Sequence, residues 1–367
     1  MSLLGREVFW PPADELTEVA EKIRARLGEW PAASTRWRIC LTMPDAPGAQ
    51  DLIVFTEPRS ENFSVGEAAV IEAYGGRAVF NRADACYALE GEWSDNWLDA
   101  LAAFLDCNFD PHDALVLAMA WRSGDEQKDD AWPTDFATFP RVADLPLAPE
   151  SAFPSCPDAL GLYPVLPAAE WVERVLDLDV CTAQLRRKTT DVADLKQEIE
   201  RSVAAGRKHQ AQLFINDHWR EAIDAGAYGV HLGQEDVEVS DLNAIVRAGL
   251  RLGLSTHGYY EMLRALHFRP SYLALGAVFP TTTKVMPTKP QGLARLQRYV
   301  ALLKGRVPLV AIGGIDGKVL PDVLSTGVGS AAVVRAVTEA PDTETAVSAL
   351  RQTFASLNAE KNSEIGR

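Results

Sequence analysis

Residues 212–236 read QLFINDHWREAIDAGAYGVHLGQED, and the spacing of their apolar residues changes twice. QLFIN is a short apolar run of strand type, bounded by polar residues. HWREAIDAG takes helical spacing and closes on Gly226, a residue that enters the left-handed conformation ending many helices. AYGVHLG then returns to a strand. Both strands exit into polar residues, Asn216-Asp217-His218 after the first and Gly233 to Asp236 after the second.

The same alternation extends in both directions. The apolar runs are LGLYPVL, VCTAQLR, QLFIN, YGVHL, LRLGLS, YLALGAVF, VPLVAIG and GSAAVV. Between them lie helical stretches such as ADLKQEIERSVAAGRKH, YYEMLRALHF and LARLQRYVALLKG. Eight strand-then-helix units in about 200 residues match a closed (β/α)₈ TIM barrel, with a doubly wound open sheet as the competing α/β arrangement. A barrel places its chemistry at the C-terminal ends of the strands. Polar or glycine-rich exits follow six consecutive strands: QLRRK, NDH, GQED, STH, TTTK and GGI.

In QLRRK the two-residue strand period puts Gln184, Arg186 and Lys188 on one face and Leu185 with Arg187 on the other. Leu185 suits the helix-covered outside, which turns an amide and two cations toward the barrel mouth. Arg offers a fork that matches phosphate oxygens. The plainer reading is a basic strand end lying in solvent. Asp217 and Asp236 end successive strands, where two carboxylates are the hard oxygen ligands that Mg²⁺ accepts. Taken alone, each reads as a cap on the helix that follows it; beside the basic cluster the metal reading gains, because Mg²⁺ with Arg and Lys is a usual way to hold a diphosphate. Thr281, Thr282, Thr283 and Lys284 add hydroxyls and a third cation, on a loop that Pro280 and Pro287 keep from continuing a strand or helix. The exits AIGGI and GSAAVVRAV suit the barrel phosphate site, where glycine lets backbone N–H groups approach an anion. Two anion sites point to two phosphorylated substrates joined with loss of diphosphate.

In this order and spacing, QLRRK, FINDHW, GVHLGQEDV, GLSTH, VFPTTTK and VAIGGI resemble the motifs of the thiamine phosphate synthase family over residues 160–356. The resemblance implies a transferase of thiamine biosynthesis. Such an enzyme joins hydroxymethylpyrimidine diphosphate to hydroxyethylthiazole phosphate, giving thiamine phosphate and diphosphate with Mg²⁺. It further implies that Gln184, Arg186, Lys188, Asn216 and Lys284 hold the pyrimidine diphosphate and that Asp217 and Asp236 bind Mg²⁺. Ser255, Thr281 and Thr283 would line the site, and Gly314, Val334 and Arg335 would take the thiazole phosphate. Arg186, Lys188, Ser255 and Lys284 are the expected catalytic residues. Three departures stand out: Arg187 where the family usually has Glu, YPVLP in the first strand, and Arg335 where the family usually has Ser. Two alternatives are a thiazole tautomerase-like barrel and a non-catalytic protein that binds thiamine intermediates.

Residues 1–122 read as a smaller α/β domain, with DLIVFTEP and GRAVFN as strands. GEWSDNWLDALAAFLDCNFDPHDALVLAMAWRSG (91–124) reads as two amphipathic helices with a turn at CNFDPHD. It resembles the C-terminal helical region of hydroxymethylpyrimidine phosphate kinases, but EGEWSDN stands where their glycine-rich anion loop is expected. A kinase remnant serving packing or assembly is therefore the expectation. Residues 123–158 carry six prolines and no regular period, the mark of a linker. The barrel is placed at 159–357 and a frayed tail at 358–367.

Charge narrows the partners. Of the net charge of −15, residues 1–150 hold 27 acidic against 12 basic residues, and residues 151–367 hold 24 of each. An acidic first half repels nucleic acid and anionic lipid. No apolar run approaches the roughly 18–20 residues of a membrane span, and MSLLGREVFWPPADE lacks a secretory pattern, so the cytoplasm is expected. The five cysteines are scattered without a CxxC pair, which argues against disulfides or structural zinc. Small molecules are the expected partners, with homo-oligomerisation left open.

Overall fold

The structure is a computed structural model that describes residues 7–58, 64–83, 85–282 and 288–365, with side chains described as far as 356. It divides into two compact units, Met1–Pro146 and Leu147–Arg367.

In the first unit, seven strands pair in sequence order: β1 (Phe9–Trp10), β2 (Arg38–Cys40), β3 (Asp51–Phe55), β4 (Ala69–Tyr74), β5 (Arg77–Arg82), β6 (Ala85–Glu90) and β7 (Arg141–Val142). β1 to β4 run parallel and β4 to β7 antiparallel. Its helices are α1 (Asp14–Arg26), α2 (Trp97–Asp106) and α3 (Pro111–Ala120). Pro111 begins α3, where its missing N–H is no loss. Nearly every residue of α2 and α3 is buried, Asp99 and Asp113 included, so the two helices expected to be amphipathic are instead enclosed on almost every side. The first part of the proline-rich stretch belongs to this core: Trp132 is buried and stacks on Trp30, ring centroids 4.7 Å apart.

The second unit is a closed barrel of eight parallel strands. These are β8 (Gly161–Leu166), β9 (Thr182–Leu185), β10 (Gln212–Asn216), β11 (Gly229–Leu232), β12 (Arg251–Thr256), β13 (Tyr272–Leu275), β14 (Leu309–Ile312) and β15 (Ser330–Val333). Each coincides with one of the eight apolar runs. β15 pairs with β8 and closes the ring. The surrounding helices are α4 (Ala169–Asp177), α5 (Val192–Lys208), α6 (Trp219–Ala225), α7 (Gln234–Val239), α8 (Leu242–Arg247), α9 (Tyr259–His267), α10 (Gly292–Leu303), α11 (Leu320–Ser325), α12 (Arg335–Thr338) and α13 (Thr343–Ile365). Asp191 caps α5 by accepting the N–H groups of Ala193 and Asp194, and α6 ends at Gly226 with φ 64°.

β13 stops at Leu275, short of the full YLALGAVF run. The chain nevertheless stays beside β14, with Val278 and Phe279 donating to the carbonyls of Ile312 and Gly313. Inside the barrel, Phe214 packs edge-on to Tyr272 with ring centroids 5.1 Å apart, and Tyr163 fills the space beside both. Gly253 makes that layer possible, because a Cβ there would lie 2.1 Å from the Tyr272 ring. Among the described residues, no helix is long and apolar enough to cross a membrane.

Candidate active site

A cavity of about 660 Å³ opens at the C-terminal ends of the barrel strands. It is lined by Gln184, Arg186, Lys188, Asn216, Asp217, Asp236, Ser255, Thr281, Gly314, Val334 and Arg335. The sequence-derived residues that the structure describes are therefore gathered at one place. Thr283 and Lys284 lie outside the described residues.

Strand geometry explains the basic cluster. Gln184 is buried, Arg186 and Lys188 follow it along the same side, and Leu185 is buried away from them. Arg187 turns outward and forks onto Asp194 of α5 at 2.9 and 3.0 Å. The unusual Arg in QLRRK thus serves helix packing and leaves the cavity to its neighbours.

The two carboxylates sit close enough to feel each other. Asp217 follows β10 in a left-handed conformation, φ 64°, and its N–H donates to the carbonyl of His231 at 3.0 Å. Asp217 is open to the cavity, yet the protein packed around its carboxyl displaces water and raises it above its ordinary range, and the neighbouring Asp236 raises it further, against Arg186 and His218. Asp236 accepts the N–H of Gly233 on Oδ2 at 3.0 Å at the start of α7. The capping reading therefore holds for Asp236, with its second oxygen outside that bond. Among the described residues, no group of three or more His, Cys, Asp or Glu is arranged to hold a metal ion. Two neighbouring carboxylates that line the cavity, Asp236 raising the Asp217 carboxyl, fit Mg²⁺, which takes one or two and fills its octahedron with water and phosphate oxygens.

The opposite end of the cavity is built differently. Gly314 has φ 67°, and a Cβ there would lie 2.7 Å from both Phe279 Cβ and the Pro280 carbonyl oxygen. Val334 and Arg335 complete this end, with Arg335 exposed at the rim. Asp316 also lines it, and accepts the N–H groups of Lys318 and Val319 at 2.8 and 3.2 Å.

Sequence reasoning passed over His231 and His257, which also line the cavity. His257 Nδ1 lies 2.7 Å from Glu261 Oε2, a contact foreshadowed by their four-residue spacing. His231 Nε2 lies 2.8 Å from Ser255 Oγ. Its signal was a polar residue in the inward register of an otherwise apolar strand.

Fold and site together define a TIM-barrel protein whose strand ends form one polar cavity. Residues 162–337 match the thiamine monophosphate synthase family. The thiamine-phosphate synthase of Neisseria meningitidis serogroup A is 58% identical over 192 residues, spanning 52% of this chain and 93% of that protein. That of Pectobacterium atrosepticum is 54% identical over 191 residues, spanning 52% of this chain and 90% of its own. Among solved structures, thiamine phosphate pyrophosphorylase from Pyrococcus furiosus is 30% identical, with a TM-score of 0.47 over 54% of this chain and 96% of that one. The chain belongs to the thiamine-phosphate synthase family.

Proposed function

We propose that this protein joins hydroxymethylpyrimidine diphosphate to hydroxyethylthiazole phosphate, releasing diphosphate and forming thiamine phosphate. The observation that carries this reading is the gathering, in one cavity, of two residue sets suited to anions, on facing parts of the strand ring. Gln184, Arg186, Lys188 and Asn216 stand with the Asp217–Asp236 pair, and Gly314, Val334 and Arg335 stand with the glycine-rich exit of β14.

In this reading Arg186 and Lys188 bind the diphosphate and stabilise the charge that grows on it as the carbon–oxygen bond breaks. The bonding electrons leave with the diphosphate, and a pyrimidine-methyl cation remains. The lone pair of the thiazole nitrogen then forms the new carbon–nitrogen bond. Lys284 would add a third cation from the loop after β13, and Thr281 and Thr283 hydroxyl donors. Asp217 and Asp236 would hold Mg²⁺, which when bound supplies further positive charge to the diphosphate. Substrate positioning supplies the rest, since capture requires the nitrogen to wait within reach of the cation.

Residues 1–146 are read as non-catalytic. The segment before α2 is tied to the end of α3: Ser94 Oγ donates to the Trp121 carbonyl and accepts the Ser123 N–H, and Arg122 donates to the Glu92 carbonyl. Such a segment supports packing rather than the cradling of a phosphate.

A diphosphate-release assay with both substrates tests the proposal. Release that needs both substrates and Mg²⁺, with matching formation of thiamine phosphate, is expected. Thiazole isomerisation without release, or binding without turnover, would replace this reading with a tautomerase or a non-catalytic binder.

A further inference from the structure

At the cavity floor and beneath it, five polar side chains from five different strands form one hydrogen-bonded chain. Gln184 Nε2 lies 3.1 Å from Tyr163 Oη. Tyr163 Oη lies 2.9 Å from Tyr272 Oη. Tyr272 Oη lies 2.7 Å from His231 Nδ1, and His231 Nε2 lies 2.8 Å from Ser255 Oγ.

With the Gln184 amide nitrogen facing Tyr163, counting protons within this chain gives each of its bonds a direction. Both phenols are fully buried, and burial holds each above its ordinary pKa, so each has a proton to place. Tyr163 meets an amide nitrogen, which only donates, and the Tyr272 hydroxyl. Its proton must go to Tyr272. The Tyr272 oxygen is then an acceptor toward Tyr163, and its own proton must go to His231 Nδ1. A neutral imidazole that accepts at Nδ1 carries its hydrogen on Nε2. That hydrogen points at Ser255 Oγ, which leaves the serine hydroxyl proton free for the cavity that Ser255 lines. Reversing the chain would aim the Tyr163 proton at the Gln184 amide hydrogens and lose a buried hydrogen bond.

We propose that His231 is a positioning residue that acts through Ser255, holding its hydroxyl as a hydrogen-bond donor toward an acceptor atom of the bound substrate. No proton is transferred along the chain; it fixes which way the last hydroxyl faces. The inference rests on the synthase reading for its catalytic consequence, but the tautomer stands apart from that reading.

Nitrogen-15 NMR of the full-length protein, with histidine ring nitrogens labelled, reads the tautomer directly at about pH 8, above the usual imidazole range. The His231 signals are assigned by their loss in His231→Gln. An unprotonated Nδ1 and a protonated Nε2 are expected, and a protonated Nδ1 or an even mixture would overturn the proposal. Kinetics supply the second arm. His231→Phe is expected to lower kcat about tenfold with little change in KM, the factor one neutral hydrogen bond carries. His231→Gln, whose amide can still donate to Ser255, should recover all but about threefold of it. In a Ser255→Ala background, His231→Phe should cost no more than about twofold further. A second full tenfold loss there would show that His231 acts by another route and sink the idea. Should His231→Phe fail to fold, the wild-type tautomer still decides. Should the wild type make no thiamine phosphate while showing the expected tautomer, the synthase reading falls instead.

Discussion

Arg187 reaches away from the cavity and forks onto Asp194 at 2.9 and 3.0 Å, while its neighbours Arg186 and Lys188 line that cavity. Adjacent arginines therefore have separable roles. Arg186→Ala should lower kcat/KM by about 10²–10³, the loss that follows removal of one preorganised charge-stabilising group. Arg187→Ala should leave both kcat and KM within about twofold. It should also lower stability by no more than about 1 kcal/mol, because the pair is one-third exposed. Steady-state kinetics beside denaturant unfolding separates the two outcomes. Equal kinetic losses would mean that Arg187 is part of the site.

Asp217 and Asp236 give a different signature. In the apoprotein they repel, so neutralising one should relieve local strain while weakening cation binding. Asp217→Asn and Asp236→Asn are each expected to raise the Mg²⁺ concentration for half-maximal activity at least tenfold. Chelation should abolish turnover, and added Mg²⁺ should restore it. Asp236→Asn should also cost some stability at the start of α7, where the carboxylate accepts the Gly233 N–H. A metal titration unchanged in both variants would remove them from the metal site.

Much of this was legible in the chain. All eight barrel strands fall on apolar runs, because a parallel strand covered on both faces has little room for polar residues. The two-residue strand period alone turns Gln184, Arg186 and Lys188 inward and Arg187 outward. What escaped was of two kinds. His231, Tyr163 and Tyr272 sit inside runs that read as core, and only the barrel's closure brings their polar atoms into one layer. The sheet of the first unit was visible only in DLIVFTEP and GRAVFN, since its remaining strands are short or mixed in composition. Pairing order among β1 to β7 depends on contacts between distant segments, which local patterning does not encode.

The first unit contains a carboxyl at odds with its surroundings. Asp99 on α2 is 4% exposed, and its Oδ1 has no hydrogen-bond partner among the described residues. Burial pushes its pKa from 3.8 up to about 6. A folded-state pKa above the unfolded value means that the folded state binds the proton more tightly, so this group's contribution to stability is fully present below 3.8 and is lost as pH rises through about 6. Above that pH the ionised group destabilises the fold by about 3 kcal/mol. Asp99→Asn should therefore stabilise the first unit at neutral pH by about 1–3 kcal/mol, with the gain shrinking toward about pH 4. Denaturant unfolding across that range measures it. A gain independent of pH would assign the effect to packing rather than charge.

The relatives identified match about half of this chain yet are matched over nine-tenths of their own length. The family match covers residues 162–337, all within the second unit, so a fragment of residues 147–367 should fold and turn over at a rate within about threefold of the full chain. Parallel circular dichroism and diphosphate-release measurements on both proteins check this. A folded but inactive fragment would give residues 1–146 a direct part in turnover. The full chain should not transfer phosphate from ATP to hydroxymethylpyrimidine phosphate, and transfer that is lost with residues 1–146 would restore the kinase reading.

Arg335 stands at the rim beside Gly314, at the end assigned to the thiazole phosphate, where the family usually carries Ser. The side chain is exposed, so its charge acts through water and is screened by salt. Attraction of that kind assists substrate capture more than the bond-making step. Arg335→Ser should raise the KM for the thiazole phosphate about three- to fivefold at low salt, leave kcat unchanged, and lose its effect as ionic strength rises. The KM for the pyrimidine diphosphate serves as the internal control, because that substrate is assigned to the opposite end. Equal increases in both constants would place Arg335 as a general attractor of anions. An unchanged thiazole phosphate KM would leave it a solvent-facing substitution.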